Sequence, residues 1–264
     1  MTETLRALLV GDIVGKPGCR ALFTCLPALS RELAADLVVA NAENAADGFG
    51  LTPEIAQSLF AAGVQVITSG NHIWQKREIL PALESDGRIL RPENYPQGVP
   101  GTGHWTGTVK DVTILVLNLE GRVNLSPLRC PFVTGRALVR QLRSKVKIVL
   151  VDFHADCPQE KEALAEYLDG EISVLVGTHT HVQTADERIL PKGTGYITDL
   201  GMTGPIDSVI GMKKEIAVRR SVNQMPLRNE VAETPAEIMG VLVEMDTRTG
   251  KALKIERVRR RSAV

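Results

Sequence analysis

The sequence has no excess of either charge: 31 Lys and Arg stand against 31 Asp and Glu, a formal net charge of zero. No global field therefore attracts nucleic acid or an anionic membrane, and any anion binding must be local. Cysteine is sparse. Cys19, Cys25, Cys130 and Cys157 form no CxxC pair and lack the density of a disulfide scaffold, which argues against a cysteine-built zinc site and predicts reduced, mostly buried thiols. The opening run, residues 1–10, contains Glu3 and Arg6; it is too short for the apolar region of a signal peptide and far too short to cross a bilayer. A soluble, cytoplasmic protein is expected. Tandem repeats are absent. So is a phosphate-binding loop of the nucleoside triphosphatase kind: in "GDIVGKPG" only three residues separate Gly11 from Gly15, and Lys16 is followed by Pro17 rather than Ser or Thr.

What is present is apolar mass. With 44% hydrophobic residues over 264 positions, the chain suffices for one large α/β domain, residues 1–264. Apolar, β-branched runs at 7–10, 37–40, 64–68, 112–117, 146–151, 172–176 and 196–198 read as core strands. Helical patterns at 19–35, 53–62, 74–83, 135–142 and 159–168 alternate with many of them, which argues for crossover units in layers. Residues 88–110, with Pro92, Pro96, Pro100 and several glycines, read as a long irregular excursion. Near the end, 241–245 and 252–258 flank a turn and predict a hairpin closing a sheet edge, and the basic stretch 257–261 reads as a solvated end.

The carboxyl ends of the predicted strands carry the chemistry. Asp12 follows the first, Asn41-Ala42-Glu43-Asn44 the second and Asn71-His72 the third; His154 follows a later one, and His179 and His181 another. Ligands in open α/β sheets bind just beyond such ends, so these residues are expected to converge on one site. Singly, Asp12 serves equally well as a helix cap, Asn41 and Asn44 as turn residues, and each histidine as a packed side chain. Jointly, four of the five histidines follow apolar runs, while His104 lies alone in the irregular excursion and is expected outside the set.

Imidazoles mixed with carboxylates and an amide oxygen suit a first-row transition ion, with Fe, Mn and Zn as candidates, whereas an all-oxygen cage would suit Ca or Mg. His179 and His181 alternate on a segment expected to be extended, which aims both rings the same way. Six or more ligands overfill one ion. Two divalent ions about 3.5–4 Å apart, bridged by one carboxylate, form the arrangement that phosphatases and nucleases use. Glu43 is the candidate bridge.

Laid in order, "GDIVGKPG", "NAENAADGFGLT", "SGNHIW", "NLEGRVN", "DFHAD", "GTHTHVQTAD" and "TDLGMTGP" resemble the calcineurin-type metallophosphoesterases, and more closely the YmdB-like bacterial cyclic-nucleotide phosphodiesterases, through nearly the whole chain. "GNH" and "GTHTH" match the broad superfamily; "NAENAADG" and "GMTGP" match the narrower group. Three departures stand out, the first being Glu43-Asn44 in place of the broad pattern's bridging aspartate motif. The broad Asp-x-His motif appears as Asp12-Ile13-Val14, and the narrow group's Ala-Glu after His154 appears as Ala155-Asp156 followed by Cys157.

The resemblance implies a four-layer α-β-β-α sandwich. It implies Asp12, Glu43, Asn44 and His181 around one divalent transition-metal ion, and Glu43, Asn71, His154 and His179 around a second, Asn44 filling the vacancy left by the missing histidine. The implied activity is hydrolysis of 2′,3′- or 3′,5′-cyclic nucleotides by metal-activated hydroxide attack on phosphorus. His72, beside Asn71 yet outside the ligand set, is placed to protonate the leaving alkoxide. Arg122, Thr203 and the loop 47–50 are candidate walls for a small phosphodiester substrate, and self-association into a homo-oligomer is compatible with the glycine-rich loops. A metal- and nucleotide-binding regulatory protein with little turnover would share these ligands, but would not require the spare proton donor His72. A metal-dependent amide hydrolase would share the ligand types, but fits the combination of "GNH" and "GTHTH" poorly.

Overall fold

The structure is a computed structural model describing residues 3–262, so the first two residues of the opening run lie outside the described residues. Thirteen strands are described: β1 (Thr4–Val10), β2 (Asp12–Ile13), β3 (Leu37–Asn41), β4 (Val66–Thr68), β5 (His104–Val109), β6 (Val112–Glu120), β7 (Ile148–His154), β8 (Val174–Thr178), β9 (Arg188–Ile189), β10 (Gly195–Ile197), β11 (Met202–Pro205), β12 (Ala236–Asp246) and β13 (Ala252–Arg261). The helices are α1 (Gly15–Glu32), α2 (Pro53–Ala61), α3 (Leu80–Ser85), α4 (Pro131–Leu142), α5 (Pro158–Leu168) and α6 (Lys214–Asn223).

Two sheets result. One runs β2-β11-β12-β1-β3-β4 with β13 added to β12; the other runs β5-β6-β7-β8-β10-β9. Their core strands show no polar face because both faces are covered. Leu5, Ala7 and Leu9 of β1 pack with Ile148 and Leu150 of β7 between the sheets, while Leu8 and Val10 pack beneath α1. On the other side, Val149, Val151 and Phe153 of β7 pack with Leu164 and Leu168 of α5. Each such aliphatic side chain contributes about 1.5–3 kcal/mol by leaving water. The expected four-layer sandwich is therefore present.

The parallel pairs β1/β3, β3/β4, β6/β7 and β7/β8 point their carboxyl ends the same way within each sheet. The loops that leave those ends form the site.

Several boundaries differ from expectation for physical reasons. The first helix begins at Gly15, not at 19, because Pro17 is tolerated in a first turn whose N–H groups have no partner anyway. Instead of a helix over 74–83 there are turns, a 3₁₀ turn at Arg77–Ile79, and α3, whose first turn holds Pro81. The irregular excursion contains edge strand β5, antiparallel to β6. Helix α6 buries no residue, so it left no apolar stripe to read.

The hairpin is present, with β13 bonded to β12. Its basic end is strand rather than solvated tail: Arg257, Arg259 and Arg260 pair with Glu187, Glu237 and Glu32. All four cysteines are free, but only Cys19 is buried, which corrects the expectation of mostly buried thiols. No helix among the described residues is long and apolar enough to cross a membrane.

Candidate metal centre

Local chemistry aims each side chain. Asn41 ends β3, and its side-chain carbonyl accepts the Glu43 N–H at 3.2 Å, turning the chain so that Glu43 faces the second sheet. Asn44 donates its amide to the Gly48 carbonyl at 3.0 Å, which leaves Oδ1 free. Gly48 has φ 90°, a left-handed conformation natural to glycine, so the glycine-rich loop serves to aim Asn44. At Gly70, a Cβ would stand 2.1 Å from His154 Cδ2; only glycine lets that ring reach the site.

The two sheets meet at His154. Its Nε2 lies 3.0 Å from Glu43 Oε1, 3.1 Å from Asn71 Oδ1 and 3.0 Å from His179 Nδ1. The second Glu43 oxygen accepts the His72 backbone N–H at 3.0 Å. Asp12 Oδ1 lies 3.8 Å from His181 Nε2 and 3.9 Å from His154 Nδ1, and Asp12 Oδ2 accepts the His179 N–H at 3.1 Å. His181 donates Nδ1–H to the Ile210 carbonyl at 2.9 Å, so its Nε2 carries the free lone pair.

The donor set fits cations. Ligand atoms of Glu43, His154 and His179 lie within 4.8 Å of one another. Asp12 Oδ1 and Asn44 Oδ1 are buried without a hydrogen-bond partner. Each such atom costs roughly 1–3 kcal/mol if left unpaired, a cost that a bound cation removes.

A family model described as YmdB-like protein matches residues 8–258. The chain belongs to the YmdB-like family. A Bacillus subtilis relative named 2′,3′-cyclic-nucleotide 2′-phosphodiesterase is 43% identical over 96% of each chain. Two solved structures are similar throughout. A Mycoplasma pneumoniae protein described as a novel phosphatase is 35% identical, with TM-score 0.93 over 99% of this chain and 95% of its own. A Thermus thermophilus protein is 38% identical, with TM-score 0.91 over 98% of this chain and 100% of its own. The calcineurin-like metallophosphoesterase sandwich is thereby the fold of this YmdB-like chain.

Burial sets the protonation of the family site. It depresses the pKa of His154 to about 3, against the opposing pull of Asp12, and that of His179 to about 4, with His154 adding to the effect. Both imidazoles are thus neutral, as a ligand must be. Burial also raises the pKa of Asp12 and Glu43, which the neighbouring histidines partly offset.

Sequence-predicted residues fall into three groups. Asp12, Glu43, Asn71, His154, His179 and His181 are brought together by the contacts above, and the bare Oδ1 of Asn44 lies on the Glu43 loop. His72 adjoins them: its Nδ1 is buried without a partner and its ring meets Phe49 edge-on at 5.1 Å. Arg122 and Thr203 do not share their setting. Arg122 is exposed and donates to Cys130 Sγ at 3.4 Å, while Thr203 is fully buried in β11 beside β2. His104 pairs with Glu93 at 3.1 Å, apart from the cluster.

The expected extended segment at 179–181 is instead a turn after β8, with φ 100° at His179 and 65° at His181. The rings reach the site through that turn and not through strand alternation. Asp156, which departs from the family pattern, places Oδ1 4.0 Å from His179 Nε2.

Sequence reasoning missed two buried carboxyls. Glu120 ends β6 beside His154 in the sheet register, fully buried against Tyr95. Its only signal was its place in "NLEGRVN". Asp152 lies two residues before His154 and accepts three hydrogen bonds. Its only signal was its place in "DFHAD".

Proposed function

We propose that this YmdB-like chain is a dinuclear-metal phosphodiesterase acting in the cytoplasm on cyclic nucleotides, with the 2′,3′-cyclic monophosphates as first substrates and the 3′,5′-cyclic ones as second. The observation that carries the reading is the convergence of neutral imidazoles, Glu43 and Asn71 on His154 Nε2, beside two buried oxygens, Asp12 Oδ1 and Asn44 Oδ1, that lack partners. The name of the Bacillus subtilis relative supports the same substrate class.

Asp12, Asn44 and His181 would hold one ion, Asn71, His154 and His179 the other, and Glu43, whose two oxygens face different neighbours, would be shared. Iron or manganese suits this mixed nitrogen and oxygen set best, with zinc next. When bound, two such ions supply Lewis acidity to the phosphoryl oxygens and lower the pKa of water.

The protein's own residues do the rest. Glu43 accepts the His72 N–H and so fixes the loop carrying both Asn71 and His72. His72 stands beside the ligand cluster without belonging to it, where its ring can hand a proton to the departing ribose oxygen. Phe49 packs on that ring and limits its rotation.

The test is hydrolysis of 2′,3′-cyclic AMP by chelator-treated protein resupplied anaerobically with Fe²⁺, Mn²⁺ or Zn²⁺, with products read by phosphorus NMR. Metal-dependent turnover that is lost in Glu43→Gln is expected, and the product shows which ester bond opened. Tight metal binding without turnover on this or other phosphodiesters would replace the proposal by a regulatory role.

A further inference from the structure

His154 is the common neighbour of Glu43, Asn71 and His179, and it can serve there only if Nε2 carries a lone pair. That requires the proton on Nδ1. His154 Nδ1 lies 3.0 Å from Thr178 Oγ1, and Thr178 Oγ1 lies 2.7 Å from Asp152 Oδ1. The Thr178 hydroxyl owns one proton. With Asp152 as acceptor, that proton points at the carboxylate, and the lone pairs of Oγ1 face His154 Nδ1 and the Asn41 amide at 3.4 Å. With Asp152 ionised, His154 then donates from Nδ1 and turns the Nε2 lone pair toward Glu43, Asn71 and His179.

The other oxygen of Asp152 is occupied as well: Thr68 Oγ1 donates at 2.5 Å and Asn41 Nδ2 at 3.1 Å. Asn41 in turn accepts the Glu43 N–H through Oδ1. One buried carboxylate between the sheets therefore governs two ligands, one through Thr178 and one through Asn41. Asp152 is 5% exposed and Thr178 fully buried, so water offers little alternative partner.

We infer that Asp152 is a positioning residue that sets the His154 tautomer through Thr178 and the Glu43 turn through Asn41. It touches neither substrate nor reacting atoms. The inference rests on His154 serving as a ligand, as proposed above, but the tautomer is readable without metal or substrate.

Asp152→Asn provides the sharpest perturbation. The Thr68 and Asn41 donors keep the new carbonyl on their side, so the new NH₂ faces Thr178 and donates to it. The Thr178 proton then turns toward His154 Nδ1, which becomes an acceptor, and the ring takes the Nε2–H tautomer with no lone pair toward the site. Thr178→Val removes the acceptor for Nδ1–H altogether, whereas Thr178→Ser keeps it.

The experiment uses the full chain, ¹⁵N-histidine labelled and chelator-treated at pH 8.5, where Asp152 is ionised, with the His154 signals assigned by their loss in His154→Gln. Two-bond ¹H–¹⁵N correlations report the tautomer directly. Wild type and Thr178→Ser are expected to show Nδ1–H. Asp152→Asn and Thr178→Val are expected to gain Nε2–H and to lose about 10–100-fold in Mn²⁺ affinity by calorimetry, the range for outer hydrogen-bond partners of metal ligands.

Nε2–H in wild type, donated to Glu43 Oε1 3.0 Å away, overturns the inference, as do unchanged Nδ1–H in either of those two variants and equal loss of affinity in Thr178→Ser. If Asp152→Asn does not fold, Thr178→Val against Thr178→Ser decides alone. A tautomer switch in a protein that hydrolyses no phosphodiester would leave this inference standing and remove the proposed activity.

Discussion

Glu120 offers a prediction whose size can be worked from its surroundings. The side chain is fully buried, and burial together with the nearby charge of Glu43 lifts its pKa from 4.5 to about 8, hydrogen bonding with Tyr95 offsetting only part. A carboxyl with a raised folded-state pKa carries no penalty below its unfolded value and a growing one above it. Between pH 5 and pH 8 the unfolded chain is largely ionised while the folded protein keeps its proton, so stability falls as pH rises. Linkage over that window gives about 3 kcal/mol. Glu120→Gln keeps the volume and removes the titration. Urea unfolding of the chelator-treated protein should show the variant gaining about 3 kcal/mol on wild type between pH 5 and pH 8. A difference between the two proteins that is flat with pH would refute the reasoning, because it would mean that Glu120 is ionised in the fold or hydrated there.

Three further perturbations follow from the same geometry. Gly70→Ala pushes a methyl group into the His154 ring, 2.1 Å from Cδ2; a stability loss of about 1–3 kcal/mol and loss of bound metal, read by urea unfolding and elemental analysis, are expected. His72→Ala should lower kcat on the cyclic nucleotide by roughly 10²–10⁴-fold with metal content unchanged, and equal loss of both would remove the proton-donor role. Lys161→Met strips Asp199 of a fully buried partner 2.7 Å away, and about 3–5 kcal/mol of stability should be lost in urea.

The fold was largely legible because its layers are simple. Runs such as 148–151 are apolar without alternation, which only a strand covered on both faces explains, and helices such as α2 and α5 announce themselves with Pro53 and Pro158 in their first turns. What escaped lacked a core signature. Strand β5 has one partner and a half-exposed alternating face, and α6 packs nothing beneath it.

The proposed ligands were legible for a different reason. Asp12, Glu43, Asn71, His154, His179 and His181 are polar residues at the carboxyl ends of apolar strands, where topology alone brings distant segments together. How the turn bearing the two histidines is shaped was not legible. Left-handed backbone at His179 and at His181 costs of order 1 kcal/mol or more each.

That cost is met from outside the turn. Asp199 accepts both the backbone N–H of Thr180, at 3.3 Å, and its hydroxyl, at 2.8 Å, gripping the turn at its middle residue. The same Asp199 oxygen accepts Lys161 Nζ from α5, while the other accepts the Gly201 N–H just before β11, the strand that pairs with β2 and Asp12. A single buried carboxylate thus ties together the segments that carry His179, His181 and Asp12. Asp152 does the same for those that carry His154 and Glu43. The donor set visible in the sequence is shaped by two acids that are not themselves in contact with the expected cations. Substitutions at Asp152 or Asp199 should therefore disturb metal affinity and loop geometry together, whereas a change at His72 should disturb turnover alone.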